Sequence, residues 1–338
     1  MPGAFQSFGN HPRALVLGAT GHIGAHVVRA LLAKGYAVRA AVRTPRYRFV
    51  LDGLPIETVP CDVEDAAALR QALGGCEFVF HCAGFYPRFT DRRERAVSRG
   101  IEQIRRVLDV LAAHRPARVV YTSSAATIAP VAGRAATEED REPWPPAQWR
   151  PLYATVKIAM EREVERDARQ GLPVVIVNPS LCVGEYDARP FSGRLVLLFG
   201  KGRMPCYLDH QFNAVYTGDV GLGHVLAAER GRIGTRYLLS HRNVTLGEFA
   251  RLVAAEAGVR PPRWRLPYPV ALAGATATEL VAALTRREPR LARHAVQLTR
   301  HRQTLDGSKA VRELGLPQTP VEEAVRRALA WFRQHGYL

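Results

Sequence analysis

The fold reading turns on one stretch, Gly18-Ala19-Thr20-Gly21-His22-Ile23-Gly24. It follows an apolar run, Ala14 to Leu17, with the length and composition of a buried strand. It opens a segment, His22 to Lys34, whose apolar residues Ile23, Val27, Val28, Leu31 and Leu32 recur at helical spacing. Strand, glycine turn, helix is the setting a phosphate-cradling loop needs. Glycine permits the tight turn, lets backbone N–H groups approach a pyrophosphate and keeps helix and strand close. The spacing is GxxGxxG rather than GxGxxG, and alone it fits an ordinary strand-to-helix turn equally well. The rest of the chain decides between the two.

Downstream, short apolar strands alternate with helical segments. Ala37–Val42, Ile56–Val59, Glu77–His81, Arg118–Thr122 and Pro173–Val177 read as strands. Asp65–Leu73, Arg92–His114 and Leu152–Arg169 read as the intervening helices, the last after a proline-rich loop (Pro143, Pro145, Pro146, Pro151). Repeated βα units predict an α/β fold, a Rossmann-type doubly wound parallel sheet with ligands beyond the carboxyl ends of its strands. After Asn178 the pattern breaks. Pro179 to Gly202 reads as loop plus short helix. Later come strands near Phe212–Tyr216 and Arg236–Leu239, a helix from Asp219, a helix behind the capping box Thr245/Glu248, and a closing helix, Pro320–His335. The expected organisation is a flexible tail over residues 1–12 and a dinucleotide-binding domain over 13–178. Residues 179–338 then form a smaller mixed substrate-binding lobe, interleaved with the last sheet strands.

Composition bounds the rest. The 338 residues are 47% hydrophobic and 23% charged, as in a soluble globular protein. Nothing resembles a secretory leader or a spanning helix, and the five cysteines have no CxxC spacing, so reduced thiols and a cytoplasmic location are expected. The net charge is +16, spread along the chain. No aromatic-interleaved basic motif accompanies it, which argues against nucleic acid. Residues 268–302, an apolar helix followed by a basic segment, could rest peripherally on the inner face of an anionic membrane; a packed helix with a solvated basic face is the plainer reading. The pair His22/His26 lacks a third ligand nearby, so no metal site is expected.

The chemistry-bearing residues sit at strand ends. Tyr153 and Lys157 are four apart on a helix and share a face. A lysine beside a tyrosine favours the phenolate, so Lys157 is expected to lower the Tyr153 pKa and to hold a ribose hydroxyl. Ser124, just after a strand, can hydrogen-bond a substrate oxygen. Together they form a proton-transfer site on a hydroxyl or carbonyl.

With those residues in place, the chain resembles the extended short-chain dehydrogenase/reductases over nearly its whole length. The resemblance rests on Gly18/Gly21/Gly24, Cys61-Asp62-Val63, His81-Cys82-Ala83-Gly84, Tyr121-Thr122-Ser123-Ser124, Tyr153-Ala154-Thr155-Val156-Lys157 and Asn178-Pro179-Ser180. Within that family it is similar to dihydroflavonol-reductase-like and hopanoid-associated epimerase-like proteins. The resemblance implies a catalytic Ser124–Tyr153–Lys157 triad. It implies a dinucleotide site of Gly18, Thr20, Gly21, His22, Ile23, Gly24, Asp62, Val63, Ala83, Gly84, Tyr153, Lys157, Asn178, Pro179 and Ser180, and dimerisation through Arg92–His114 and Leu152–Arg169. Those two helices carry many charges, so a monomer is the alternative. One departure stands out: the family's Asn-Val-x-Gly-Thr run is here Ser98-Arg99-Gly100-Ile101-Glu102.

Cofactor and substrate follow from side-chain chemistry. NAD users commonly end the second strand with an acidic residue; here it is Val42-Arg43-Thr44, with Arg39 and Arg46 nearby, which favours NADP over NAD. Phe85, Tyr86, Cys182 and Phe191, with Ser124 and the neighbouring Phe89, Val183 and Tyr207, suggest a pocket for a hydrophobic, polycyclic substrate. Ser124 is followed by Ala125-Ala126, which lacks the carboxyl group a 4,6-dehydratase needs. The reading is an NAD(P)-dependent oxidoreductase interconverting a secondary alcohol and a ketone. The alternatives are a nucleotide-sugar epimerase acting through transient oxidation, with Arg189, Arg194, Arg203 and Arg232 as candidate cations, and a nucleotide-binding sensor without chemistry.

Overall fold

The computed structural model describes residues 12–87, 91–141, 150–208, 210–285, 296 and 304–338. Its centre is a parallel sheet built from β1 (Arg13–Leu17), β2 (Ala37–Val42), β3 (Glu57–Pro60), β4 (Phe78–His81), β5 (Arg118–Thr122), β6 (Val174–Pro179) and β10 (Arg236–Leu239). Their order is β10-β6-β5-β4-β1-β2-β3, and every neighbouring pair is parallel. From β1 the chain winds outward to β3, then returns to β4 and winds the other way. The order therefore reverses between β1 and β4, and a crevice opens at their carboxyl ends.

The strands are buried on both faces, so their apolar runs are nearly continuous. On β1, Ala14 and Val16 join one core while Leu15 and Leu17 join the other, the period of two that a strand imposes. The first face packs α1 (His22–Ala33) against α6 (Thr217–Arg230). The second packs α2 (Ala66–Leu73), α3 (Arg93–His114) and α4 (Leu152–Arg169). Asp65 ends the loop before α2 by accepting from the N–H groups of Ala67 and Ala68 at 2.8 and 3.1 Å. Gly100 belongs to the stretch that departs from the family run. A Cβ there would lie 2.8 Å from Val156 Cγ1, so this glycine lets α3 and α4 approach closely. Their outward charges pair with one another, Arg105 forking onto Glu163 at 2.9 and 3.0 Å.

The carboxyl half also builds a three-stranded sheet, β11 (Arg242–Thr245), β9 (Gln211–Tyr216) and β7 (Leu181–Val183), and a two-stranded one, β12 (Trp264–Leu266) with β8 (Cys206–Leu208). β7 falls where the sequence reads as loop; three residues are too few to show a period. α5 (Gly193–Gly200), α7 (Leu246–Ala257) and α9 (Val321–Gln334) pack around these sheets, and the Thr245/Glu248 capping box opens α7. The remaining helix, α8 (Tyr268–Thr285), buries Ala271 and Ala275 against Val296. Among the described residues no helix is long and apolar enough to cross a membrane. Most of the basic segment following α8, and the tail 1–11, lie outside the described residues.

Candidate active site

A cavity of about 830 Å³ runs along the carboxyl ends of the strands. Its floor at one end is the glycine loop. Gly18 has φ +78°, and a Cβ on it would lie 2.8 Å from both Ala83 N and Cys82 C, where β1 meets the end of β4. A Cβ on Gly24 would lie 2.1 Å from Gly18 O. The Gly21 N–H closes the turn onto Gly18 O at 2.9 Å. No side chain caps α1, so its first N–H groups face the cavity as a seat for an anion. This cradle fits a dinucleotide pyrophosphate: backbone lies where any side chain would collide.

The same cavity is lined by Gly18, Thr20, Gly21, His22, Ile23, Gly24, Arg43, Asp62, Val63, Ala83 and Gly84. His22 is oriented by Thr217 Oγ1, 2.9 Å from its Nε2. Arg43 is exposed beside Thr44 just beyond β2. Arg39 is elsewhere. It is 8% exposed, paired with Glu57 at 2.8 Å and donating to the carbonyls of Ala72 and Gly74. It is held inside, under the end of α2, whereas Arg43 lies just beyond the last residue of β2, where the chain leaves the sheet at the cavity edge.

Further along, Tyr153 and Lys157 project from one face of α4 into the cavity. Lys157 is 2% exposed; burial pulls its ammonium down to about 8, opposed by the charge of Glu161 one turn on. Tyr153 lies beside Ser124 on the cavity wall, with the Tyr86 ring stacked on its own. Ser124 Oγ is itself fixed by the Ala126 N–H at 3.1 Å. Burial dominates at Tyr153 and raises its pKa well above the ordinary phenol value. The expected lowering by Lys157 is not seen: Nζ stands 5.9 Å from the ring centroid, and burial holds the phenol protonated, the form that donates.

Pro179 and Ser180 line the cavity, but Asn178 does not. Fully buried, it donates to Glu161 Oε2 at 2.7 Å, Thr127 Oγ1 at 3.0 Å and the Ser124 carbonyl at 3.2 Å. Arg236 completes this network, its Nε 2.9 Å from Glu161 with both side chains buried. Asn178 therefore ties the Ser124 backbone to α4 from behind rather than touching a ligand. Glu161 and Arg236 escaped the sequence reading; Glu161, four residues after Lys157 on the same helix face, carried the available signal.

At the substrate end, Phe85, Tyr86, Cys182 and Phe191 all line the cavity. Phe85 is buried beneath the Arg99 guanidinium, whereas Tyr86 and Phe191 are exposed. The Tyr86 and Tyr153 rings stack with centroids 5.5 Å apart and planes 13° apart; Phe191 lies 5.4 Å from Tyr86 and 6.4 Å from Tyr153. Val183 belongs to the core, and Tyr207 packs against Gly247 away from the cavity. Phe89 lies outside the described residues. Arg189 lines the cavity; Arg194 and Arg203 do not, and Arg232 is engaged by Glu313. Asp187, Gln211, Phe212, Asn213 and Gln103 also line it and were not anticipated. They come from β9, from α3 and from the loop carrying Asp187, remote from one another in sequence, so no spacing announces them.

Known proteins carry the same organisation. "Putative dihydroflavonol 4-reductase" of Synechocystis sp. is 35% identical over 328 residues, 96% of this chain and 95% of its own. "Sterol demethylase protein B" of Methylococcus capsulatus is 33% identical over 329 residues, 96% of this chain and 99% of its own. A solved nucleoside-diphosphate-sugar epimerase from Pseudomonas aeruginosa superposes with a TM-score of 0.78 at 29% identity, covering 97% of this chain and 99% of that one. Residues 14–239 match one family along the whole length that carries the glycine cradle, the Ser-Tyr-Lys cluster and the sheet, and the chain belongs to that family, the NAD dependent epimerase/dehydratase family.

Proposed function

We propose that this protein is an NADP-dependent oxidoreductase interconverting a secondary alcohol and a ketone on a hydrophobic, ring-shaped substrate. The observation that carries the reading is the convergence of the Ser124, Tyr153 and Lys157 side chains on a cavity floored by a glycine cradle and walled by Phe85, Tyr86 and Phe191. Both named sequence relatives carry names drawn from polycyclic substrates, a dihydroflavonol and a sterol. A bound nicotinamide supplies or accepts the hydride.

The chain's own residues do the rest. The glycine loop and the α1 N-terminus hold the pyrophosphate, and Asp62 and Val63 flank the adenine. Arg43 presents a planar, permanently charged donor set to a ribose 2′-phosphate. Ser124 and Tyr153 hold the reacting oxygen between two hydroxyls. In reduction Tyr153 gives its proton to that oxygen; in oxidation it takes one. Lys157 holds the nicotinamide ribose and keeps positive charge beside the phenolate that reduction leaves behind.

The test is a cofactor-consumption assay with NADPH and NADH against a panel of 3-ketosteroids, dihydroflavonols and nucleotide sugars. Net turnover with a polycyclic ketone is expected. Tyr153→Phe should cut it by ~10²–10⁴-fold while cofactor binding persists, since general acid–base catalysis is typically worth that much. Turnover near wild type in this variant refutes the assignment. The second reading, a nucleotide-sugar epimerase, is favoured by Arg189 on the cavity wall and by the similar epimerase structure. Stereochemical inversion of a nucleotide sugar without net cofactor consumption would select it.

A further inference from the structure

Two full charges are buried behind the Ser-Tyr-Lys cluster, where packing alone does not call for them. Glu161 on α4 is 4% exposed and Arg236 on β10 is 3% exposed, and the two ion-pair at 2.9 Å. Removal from water roughly offsets the attraction of such a pair, so well-packed apolar side chains would serve stability as well or better. The pair does, however, reach the active site. Arg236 donates to Thr127 Oγ1 at 2.8 Å and to the Glu138 carbonyl. Glu161 Oε2 accepts from the Asn178 amide at 2.7 Å and has Thr127 Oγ1 at 3.2 Å. Thr127 and Asn178 then converge on one atom, the Ser124 carbonyl oxygen. It accepts from the Thr127 N–H at 3.0 Å, Thr127 Oγ1 at 2.9 Å and Asn178 Nδ2 at 3.2 Å. On the other side, Tyr153 and Lys157 stand two turns and one turn before Glu161 on the same helix.

We infer that the Glu161–Arg236 pair positions Ser124: through Thr127 and Asn178 it locks the turn that carries Ser124 onto the helix that carries Tyr153 and Lys157. The two hydroxyls that receive the reacting oxygen thereby keep one spacing. The inference rests on the alcohol/ketone reading and extends it to two residues that do not line the cavity. Both residue types suit the task. One Glu161 oxygen faces the guanidinium and the other faces the amide and the hydroxyl, so the site asks for two acceptors. Glutamine would turn its NH₂ toward one set of donors. Arg236 meets three partners on three parts of the chain, Glu161 through Nε and Thr127 and Glu138 through its two terminal nitrogens. A lysine, with one nitrogen, cannot span them.

The variant to make is the double one, Glu161→Met with Arg236→Met, which removes both charges and leaves no buried ion unpaired. It should melt at the wild-type temperature or above and bind NADPH with the wild-type dissociation constant. With the panel ketone that wild type turns over fastest, its kcat should nevertheless fall ~10–100-fold with KM little changed, because misplaced reacting groups are felt in the chemical step. Amide hydrogen exchange followed by NMR should quicken at Ala126 and Thr127, whose N–H groups bond Ser124 Oγ and the Ser124 carbonyl. A folded double variant with wild-type kcat overturns the inference. So does one in which kcat, NADPH affinity and melting temperature fall together, which would make the pair a structural tie. Should the double variant not fold, Thr127→Val decides by the same split, since it keeps the ion pair but removes the hydroxyl between Arg236 and the Ser124 carbonyl. Ser124→Ala run in parallel separates the two ideas. If it is slow while the double variant is not, the inference alone falls; if it turns over at the wild-type rate, the alcohol/ketone reading loses its use of Ser124. Silence of the wild-type protein toward every ketone removes both.

Discussion

The two ends of the cleft are made of different material. At the nucleotide end the contacts are backbone, and three glycines hold space that any side chain would fill. At the substrate end the contacts are side chains: Tyr86 and Phe191 lean over Tyr153, Phe212 and Asn213 arrive from β9, and Arg189 from a loop of the carboxyl half. A backbone-built site constrains sequence tightly, because one residue type alone fits. A side-chain-built site is assembled by the fold and tolerates exchange. The first end should therefore be brittle and shared by many ligand chemistries, the second adaptable and the seat of specificity.

Paired substitutions break this comparison most sharply. Gly24→Ala puts a Cβ 2.1 Å from Gly18 O, a backbone atom that cannot swing aside. Overpacking of this kind costs ~1–3 kcal/mol, so NADPH affinity should fall ~5–150-fold. Phe191→Ala at the other end removes a ring that is 66% exposed and should change KM only a few-fold, with cofactor affinity intact. Fluorescence titration of NADPH with both variants, folding checked by circular dichroism, decides it. A folded Gly24→Ala that binds as tightly as wild type ends the distinction.

The same contrast explains what the sequence makes legible. The glycine loop, the Tyr153/Lys157 pair and the buried strands announce themselves through local spacing, because each function needs its residues within one turn or one strand. Asn178 was misplaced for the complementary reason. All six residues of β6 are buried, so alternation gives no sign of which side chains face the cavity. Its amide instead closes the Glu161–Arg236 network, whose partners lie 17 and 58 residues away in the chain. Arg39 and Arg43 look equivalent on paper. Four residues apart on and just beyond one strand, they end in a buried ion pair and at an open cavity edge, because the helix-covered core meets only the first. The sequence reading of Tyr153 erred in weighing a neighbouring charge above burial, a quantity that exists only once the chain has folded.

Arg43 sharpens the comparison, being the one side chain on which the backbone-built end is proposed to depend for choosing its cofactor. Hydrogen bonds to a charged group are worth ~1.5–3 kcal/mol, so Arg43→Glu should weaken NADP binding by ~10–100-fold. NAD, whose 2′-hydroxyl a carboxylate can accept from, should bind as well or better. Titration of wild type and variant with both nucleotides tests the assignment; identical selectivity in the two proteins removes Arg43 from the site.

Lys157 stands between the two ends and gives the smallest effect, expressed in pH. Burial sets its ammonium at about 8 in the nucleotide-free protein. Below that pH the charge is present and attracts the dinucleotide; above it the side chain becomes neutral and the attraction is lost. NADPH affinity should therefore be level up to about pH 8 and fall by at most about tenfold per pH unit beyond it, as release of a single proton requires. The neighbours leave that window clear. Burial pushes the His81 imidazole down to about 4 and the thiols of Cys82 and Cys182 up to about 12, and Tyr153 titrates higher still than an ordinary phenol. Lys157→Met should bind weakly and without the bend. If the bend survives in that variant, the titrating group lies elsewhere and the ribose is held by geometry alone, which would make this end of the cleft backbone-built throughout.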